Sequence, residues 1–239
     1  MSKKSIIEIK NLTHFYGQKK IYDNLNLSIQ EGCVFGILGK NGVGKSTLIN
    51  ILMGYLQPKN GQCLIFGEDS HNLSYTSKKD IALLHEGFVA YDFMTISQYE
   101  DFFAPFYVNW NKKVFYDLVD LMGLDYSQKL STLSFGQKSQ VVLGAIFAQD
   151  AKLLILDDYS MGLDAGYRRL FINYLKNYIK EKSKTVIITS HTMNDLDGLL
   201  DEFLIVQKGA IAHHDTMENF NLDKSSTFED KFLDFVGLY

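Results

Sequence analysis

Gly39-Lys40-Asn41-Gly42-Val43-Gly44-Lys45-Ser46 constrains the folding of this chain more than any other stretch. Its spacing, G-x-x-x-x-G-K-[ST], marks a loop that cradles phosphates when a strand precedes it and a helix follows. Both neighbours are present. Residues 33–38 are a short apolar run that reads as a buried strand, and residues 46–53 are apolar at helical spacing. Glycines let the backbone turn tightly and aim successive N–H groups inward. The helix N-terminus places partial positive charge beneath the phosphates. Lys45 is expected on the β- and γ-phosphates of a nucleotide, and the Ser46 hydroxyl on Mg²⁺.

The chain has 239 residues, 46% apolar and 22% charged, enough for one large domain or a domain with a lobe. A net charge of −4 argues against a broad basic face for nucleic acid. Cys33 and Cys63 lie in apolar segments without metal-ligand spacing and read as buried reduced thiols, which suits the cytoplasm. No apolar run reaches the ~18 residues of a membrane-spanning helix. The opening Met-Ser-Lys-Lys passes directly into strand-like residues 6–9, without the apolar region of a signal peptide. A membrane role is therefore expected to come through a partner.

Residues 6–9, 15–16 and 25–29 read as short strands. Tyr16, followed by Gly17, fits either an edge-strand tyrosine or an aromatic that stacks on a base. Residues 58–61 form a turn, and 63–66 and 81–84 are strands, the second leading into His85-Glu86-Gly87. Between about 88 and 150 the pattern is helical. Tyr99, Phe102, Phe103 and Phe106 align in one stripe, and Val114, Phe115, Leu118, Val119 and Met122 in another; both are expected in the core. Phe88, Tyr91 and Phe93 cluster in a connector, which suits a partner surface. Leu133-Ser134-Phe135-Gly136-Gln137 precedes a further helix, so Ser134 and Gly136 sit at its N-terminus, as an anion site or a plain cap.

Residues 153–156 form a buried strand that ends in Asp157-Asp158. Carboxylates at the C-terminal end of a parallel strand lie where ligands bind in open α/β sheets; one suits Mg²⁺ and the other a reacting water. Residues 162–164 are a turn, and 167–181 a helix with Leu170, Phe171, Tyr174, Leu175 and Tyr178 inward. A fourth buried strand, 185–189, runs into Ser190-His191, and a histidine at that strand tip is a site candidate. Residues 202–206 and 210–213 close the sheet, with His213 and His214 at the surface. Residues 223–226 read as a linker, and Ser226 with Glu229 as the capping box of a last helix. That helix carries Phe228, Phe232, Phe235, Val236 and Tyr239 along one stripe and is expected to dock on the body.

Taken in order, Tyr16, the loop 39–46, Glu86, the pentapeptide 133–137, Asp157-Asp158, the turn 162–164 and His191 resemble one family, over nearly all of residues 6–214. The chain resembles the nucleotide-binding subunit of an ABC transporter. The resemblance implies an α/β fold of the P-loop NTPase type: a mixed sheet core, an antiparallel N-terminal β-subdomain and a helical lobe at about 88–150, all within 1–222, with 223–239 as linker and docked helix. It also implies a head-to-tail dimer, with either a like or an unlike second ATPase chain. Each ATP would lie between the P-loop of one chain and the Leu-Ser-x-Gly-Gln motif of the other. The implied nucleotide contacts are Tyr16 on adenine, residues 39–46 and Thr47 on phosphates, and Ser134, Gly136 and Gln137 across the dimer. Ser46, Glu86 and Asp157 would arrange Mg²⁺. Asp158 would polarise the attacking water, His191 would meet the γ-phosphate and Asp164 would touch the other subunit. The protein would act peripherally, on the cytoplasmic side of the membrane, with a separate transmembrane permease.

Three residues depart from the family pattern. Asp158 stands where Glu is usual, Tyr159 where Pro follows, and Glu86 where Gln is usual. Glu86, Phe106-Tyr-Val-Asn-Trp110 and Ser226-Thr-Phe-Glu-Asp230 look like exporters whose ATPase and membrane protein are separate chains, which points to drug, antibiotic or peptide export. Two alternatives stay beside this: a non-transport ATPase of the same family, and an ATP-dependent binding switch with hydrolysis weakened at Asp158.

Overall fold

Two strands of twelve residues, β1 (Ser5–Tyr16) and β2 (Lys19–Gln30), open the chain as one antiparallel hairpin where the sequence suggested three short strands. Register shifts between Ile9 and Leu12 and between Leu12, His14 and Phe15 interrupt the alternation, so one long strand looks like several pieces. The computed structural model describes residues 4–160, 163–182, 184–191, 196, 198–207, 210–220 and 227–235. After the hairpin come β3 (Val34–Leu38), α1 (Lys45–Leu52), β4 (Asn60–Ile65), β5 (Glu68–Asp69), α2 (Tyr75–Lys79) and β6 (Ile81–Leu84). The helical stretch holds α3 (Ile96–Phe103), α4 (Lys112–Asp120) and α5 (Phe135–Ala148). The chain then runs through β7 (Leu153–Leu156), α6 (Ala165–Lys182), β8 (Thr185–Ser190), β9 (Glu202–Gln207), β10 (Ala210–Thr216), α7 (Met217–Phe220) and α8 (Phe228–Phe235).

The strands form two sheets. A four-stranded antiparallel sheet has the order β2-β1-β4-β5, and a six-stranded sheet the order β10-β9-β3-β8-β7-β6. From β9 to β6 the second sheet is parallel, with β10 antiparallel at its edge. Its strands are apolar on both faces because both faces are covered. On β3, Phe35 and Ile37 turn to one core while Val34 and Leu38 turn to the other. β7 divides likewise, with Leu153 and Ile155 against Leu154 and Leu156. This is the period-two alternation of a strand.

The first core lies between the two sheets and encloses α1 through Leu48, Ile49, Ile51 and Leu52. A helix of eight residues does not persist alone in water. Each buried Leu or Ile stabilises it by about 1.5–3 kcal/mol, so packing decides its existence. The second core joins the lobe, α6 and α8 to the other face. Here α4 and α5 meet at backbone distance: a methyl on Gly144 would lie 2.9 Å from the Phe115 carbonyl oxygen.

Four expectations change in this part of the molecule. Tyr99 is buried, but Phe102 and Phe106 are 40% and 62% exposed, so half of the aromatic stripe faces outward. Leu170 is exposed, and Ile172 takes its place beside Phe171 and Leu175. His213 is half-buried, stacked on Phe235 at 4.5 Å, whereas His214 is exposed and pairs with Glu202 at 2.6 Å. The last helix is capped one residue later than expected: Asp230 N donates to Thr227 Oγ1 at 3.1 Å, and Thr227 N to the Asp230 carboxylate at 3.1 Å. Phe228 and Phe232 dock it, while the linker 223–226, Ser226, Val236 and Tyr239 lie outside the described residues. Both cysteines are buried and neither is in a disulfide, and burial pushes the Cys63 thiol up to about 12.

Candidate active site

The loop between β3 and α1 closes on itself through its own glycines. Gly39, Gly42 and Gly44 have φ of 154°, 77° and 124°, which side chains rarely adopt. At Gly44 a methyl would also stand 2.6 Å from Ile21 Cγ2. No side chain caps α1, so the first amides of the helix are left for a ligand. Tyr22 OH donates to Gly44 O at 2.9 Å and ties the loop to the hairpin. Val43 is buried, so its side chain belongs to the core and only its backbone can serve the loop.

Lys45 is 7% exposed, more enclosed than a lysine held open for a ligand. Its Nζ donates to Gly39 O at 2.8 Å and Lys40 O at 3.1 Å. An ammonium has three N–H donors, which leaves one for a phosphate. Burial lowers the proton affinity of Lys45, and the carboxylates of Asp158, Asp157 and Glu86 oppose that shift.

Ser46 Oγ lies 3.2 Å from Glu86 Oε2 and 3.5 Å from Asp157 Oδ1. Asp157, at the end of β7, is 1% exposed. Its Oδ1 accepts from Thr189 Oγ1 at 2.6 Å, while its Oδ2 is buried without a hydrogen-bond partner. Asp158 has a left-handed backbone, φ 46°. Its amide donates to Thr189 Oγ1 at 2.8 Å. Ser160 Oγ donates to Asp158 Oδ1 at 3.3 Å, and His191 Nδ1 lies 3.5 Å from Oδ2. Below them Tyr159 is buried and stacks on Phe171 at 5.0 Å. Asp164 caps α6, accepting from Tyr167 N at 2.9 Å, whereas Gly162 lies outside the described residues.

These groups surround a cleft of about 390 Å³. Of the expected residues, Tyr16, Asn41, Gly42, Gly44, Lys45, Ser46, Thr47, Glu86, Asp157 and Asp158 line it. Tyr16 is half-exposed, as a base-stacking ring must be. His191 joins through Asp158, and Gly39 and Lys40 through Lys45. Ser134, Gly136 and Gln137 are not part of the lining. They form the first turn of α5, where Gln137 N donates to Ser134 Oγ at 3.2 Å and Ser134 N to Gln137 Oε1 at 2.9 Å. Lys19, Ile21 and Thr189 line the cleft without belonging to any motif. The only sequence signal for Thr189 was a hydroxyl ending an apolar strand.

The donor set fits a cation that arrives with phosphate. Among the described residues no three His, Cys, Asp or Glu side chains cluster to hold a metal ion. One hydroxyl and one or two carboxylates are what Mg²⁺ takes from a protein when water and nucleotide supply the rest. The unpartnered Asp157 Oδ2 is a buried oxygen that such an ion would satisfy.

The family model for the ABC transporter matches residues 22–160. An uncharacterized ABC transporter ATP-binding protein of Bacillus subtilis is 30% identical over 227 residues, covering 94% of this chain and 74% of that protein. A bacitracin transport ATP-binding protein of Bacillus licheniformis is 28% identical, covering 97% and 74%. An Fe(3+) ions import ATP-binding protein of Escherichia coli O157:H7 is 25% identical, covering 100% and 70%. The fold is similar to a solved ATP binding subunit of an ABC transporter, with TM-score 0.82 and 19% identity over 97% of this chain and 99% of that one. This chain therefore belongs to the ABC transporter family, as an ATP-binding subunit that hydrolyses ATP.

Proposed function

We propose that the protein binds Mg²⁺-ATP in this cleft and hydrolyses it to drive export of a drug, antibiotic or peptide through a separate transmembrane chain. The observation that carries the ATPase part is the meeting of Lys45, Ser46, Glu86, Asp157 and Asp158 around one cleft that also exposes Tyr16. Tyr16 would stack on the adenine. Lys45 and the amides of residues 39–47 would hold the phosphates, the lysine with its remaining N–H. Ser46, Asp157 and Glu86 would hold Mg²⁺, which when bound neutralises charge on the β- and γ-phosphates. Asp158, steadied by Ser160 and His191, would accept a hydrogen bond from the attacking water. His191 would donate to the γ-phosphoryl oxygens as their charge develops.

One chain leaves the γ-phosphate side of the cleft open, because Ser134, Gly136 and Gln137 cap their own helix elsewhere. A second ATPase chain, like or unlike, would bring its copy of that turn across. The Asp158→Asn form, expected to bind ATP but to hydrolyse it far more slowly, should therefore sediment as a dimer with Mg²⁺-ATP and as a monomer without nucleotide. If the parent hydrolyses no ATP and the variant stays monomeric alone and with its partner ATPase, the reading is wrong.

Export is favoured by the sequence cues at Glu86 and in residues 106–110. The membrane partner would sit on an aromatic surface beside Glu86. Phe88 turns inward, 5.6 Å from Phe135, but Tyr91 and Phe93 are 40% and 71% exposed. Tyr91 meets Phe102 at 5.4 Å, and Phe102 meets Phe106 at 5.6 Å, so the patch continues onto the lobe. Among the described residues no helix is long and apolar enough to cross a membrane, so coupling would pass through such a surface. Serine at Tyr91, Phe93 and Phe106 together is expected to reduce co-purification with the co-expressed membrane chain at least about tenfold, as losing interface anchors does. ATPase activity of the isolated subunit should be unchanged. Full co-purification by the triple variant would remove this surface from the transport complex.

A further inference from the structure

Thr189 is the last-but-one residue of β8, fully buried, and belongs to no recognised motif. We propose that its hydroxyl is a positioning group that sets both carboxylates of the site and selects which oxygen of Asp157 meets the cation. An amide N–H only donates, so Thr189 Oγ1 accepts from Asp158 N at 2.8 Å. The single proton of the hydroxyl is then committed to Asp157 Oδ1, 2.6 Å away. Oδ1 thereby has one of its two acceptor sites filled, and Ser46 Oγ approaches the same atom at 3.5 Å. Oδ2, buried and unpartnered, is the oxygen with both acceptor sites free for a hard divalent cation that brings nucleotide phosphates with it.

The same hydroxyl stabilises the turn that follows. Asp158 holds φ 46°, a left-handed conformation that residues other than glycine seldom adopt. The Thr189 contact satisfies the amide of that residue at a partly buried position beside the cleft. Ser160 and His191 then fix the two carboxylate oxygens from the other side. One atom thus links the cation-facing carboxylate to the water-facing one, across a sequence separation of 32 and 31 residues.

The inference rests on reading the cleft as a Mg²⁺-ATP site, and two measurements separate it from that reading. Thr189→Val keeps the shape and removes the hydroxyl, Thr189→Ala removes the hydroxyl with less bulk, and Thr189→Ser keeps it. In the nucleotide-free protein, the Asp158 amide should exchange with solvent at least about tenfold faster in the Val and Ala forms and at the parent rate in the Ser form. With a fluorescent ATP analogue, the Mg²⁺ concentration for half-maximal enhancement of binding should rise about tenfold in Val and Ala, the scale seen when an outer-shell partner of a metal ligand is removed. Affinity for the analogue in EDTA should stay unchanged, and Ser should restore the Mg²⁺ response. Parent-like exchange or parent-like Mg²⁺ dependence in whichever of the two hydroxyl-less variants folds overturns the proposal, and so does a Ser form that behaves like Val. If the parent itself shows no Mg²⁺ dependence, the site reading fails, and the exchange measurement still decides the anchoring role of Thr189.

Discussion

Lys45→Ala is expected to lower ATP hydrolysis by on the order of 10³-fold or more and to erase the thermal shift that ATP gives the parent. Removing one preorganised donor from developing charge costs about 10²–10³ in rate, and Lys45 supplies more than one interaction. Its Nζ bridges Gly39 O at 2.8 Å and Lys40 O at 3.1 Å, so the loop loses an internal clasp as well as a phosphate donor. The three carboxylates of Glu86, Asp157 and Asp158 also lose a cation that interacts with each of them. Lys45→Arg separates these effects. It keeps the charge, but a planar fork does not fit a pocket closed around a single nitrogen, so hydrolysis should stay low. Lys45→Met keeps the buried stem without the charge and should retain apo stability better than Ala, because the apolar part of the side chain still packs. ATP-dependent thermal stabilisation in the Ala form equal to the parent's would show that the phosphates bind elsewhere.

The parts of this site that the sequence reveals are those whose chemistry is local. Residues 39–46 carry their own geometry, since each glycine is required by a positive φ within the same eight positions. Asp157 and Asp158 are placed by the end of a strand that is apolar throughout, and strands of that kind end at ligand sites in open sheets. Tyr22 and Thr189 could not be found this way. Tyr22 reaches Gly44 across 22 residues, and Thr189 reaches Asp157 across 32, so nothing in their immediate sequence announces the contact. The packing of Ile21 against Gly44 was hidden for the same reason. Periodicity fails differently in the lobe. It groups Tyr99, Phe102, Phe103 and Phe106 on one side, but it does not say how far the covering layer extends. The cover reaches Tyr99 and stops short of Phe106. In the hairpin, bulges erased the alternation that would have shown two long strands.

Asp158→Asn is expected to reduce single-turnover hydrolysis by about 10²–10³-fold while leaving ATP affinity within a factor of two or so, as for loss of a group that acts on the reacting water alone. Asparagine keeps the shape and the left-handed backbone but cannot take charge from the attacking water. The companion variant, Asp158→Glu, is the sharper test. Aspartate is one methylene shorter than the usual glutamate, and a shortfall of about 1 Å can cost on the order of 10²-fold. From the sequence, a longer side chain at this position would therefore be expected to maintain or raise the rate. The structure changes that expectation. Asp158 turns at φ 46°, which aspartate tolerates better than glutamate, and the carboxylate is among the groups that line the cleft. Ser160 Oγ at 3.3 Å and His191 Nδ1 at 3.5 Å already meet its two oxygens. The buried ring of Tyr159, stacked on Phe171 where a proline is usual, anchors the turn from below. An added methylene would carry the carboxylate past both partners and strain the turn. Glutamate should therefore hydrolyse ATP no faster than the parent, and about tenfold slower if the two contacts are lost, with ATP binding retained. A glutamate form faster than the parent would mean that reach limits the natural enzyme. An asparagine form with unchanged turnover would assign the water to another residue of the cleft, with Glu86 the next carboxylate in line.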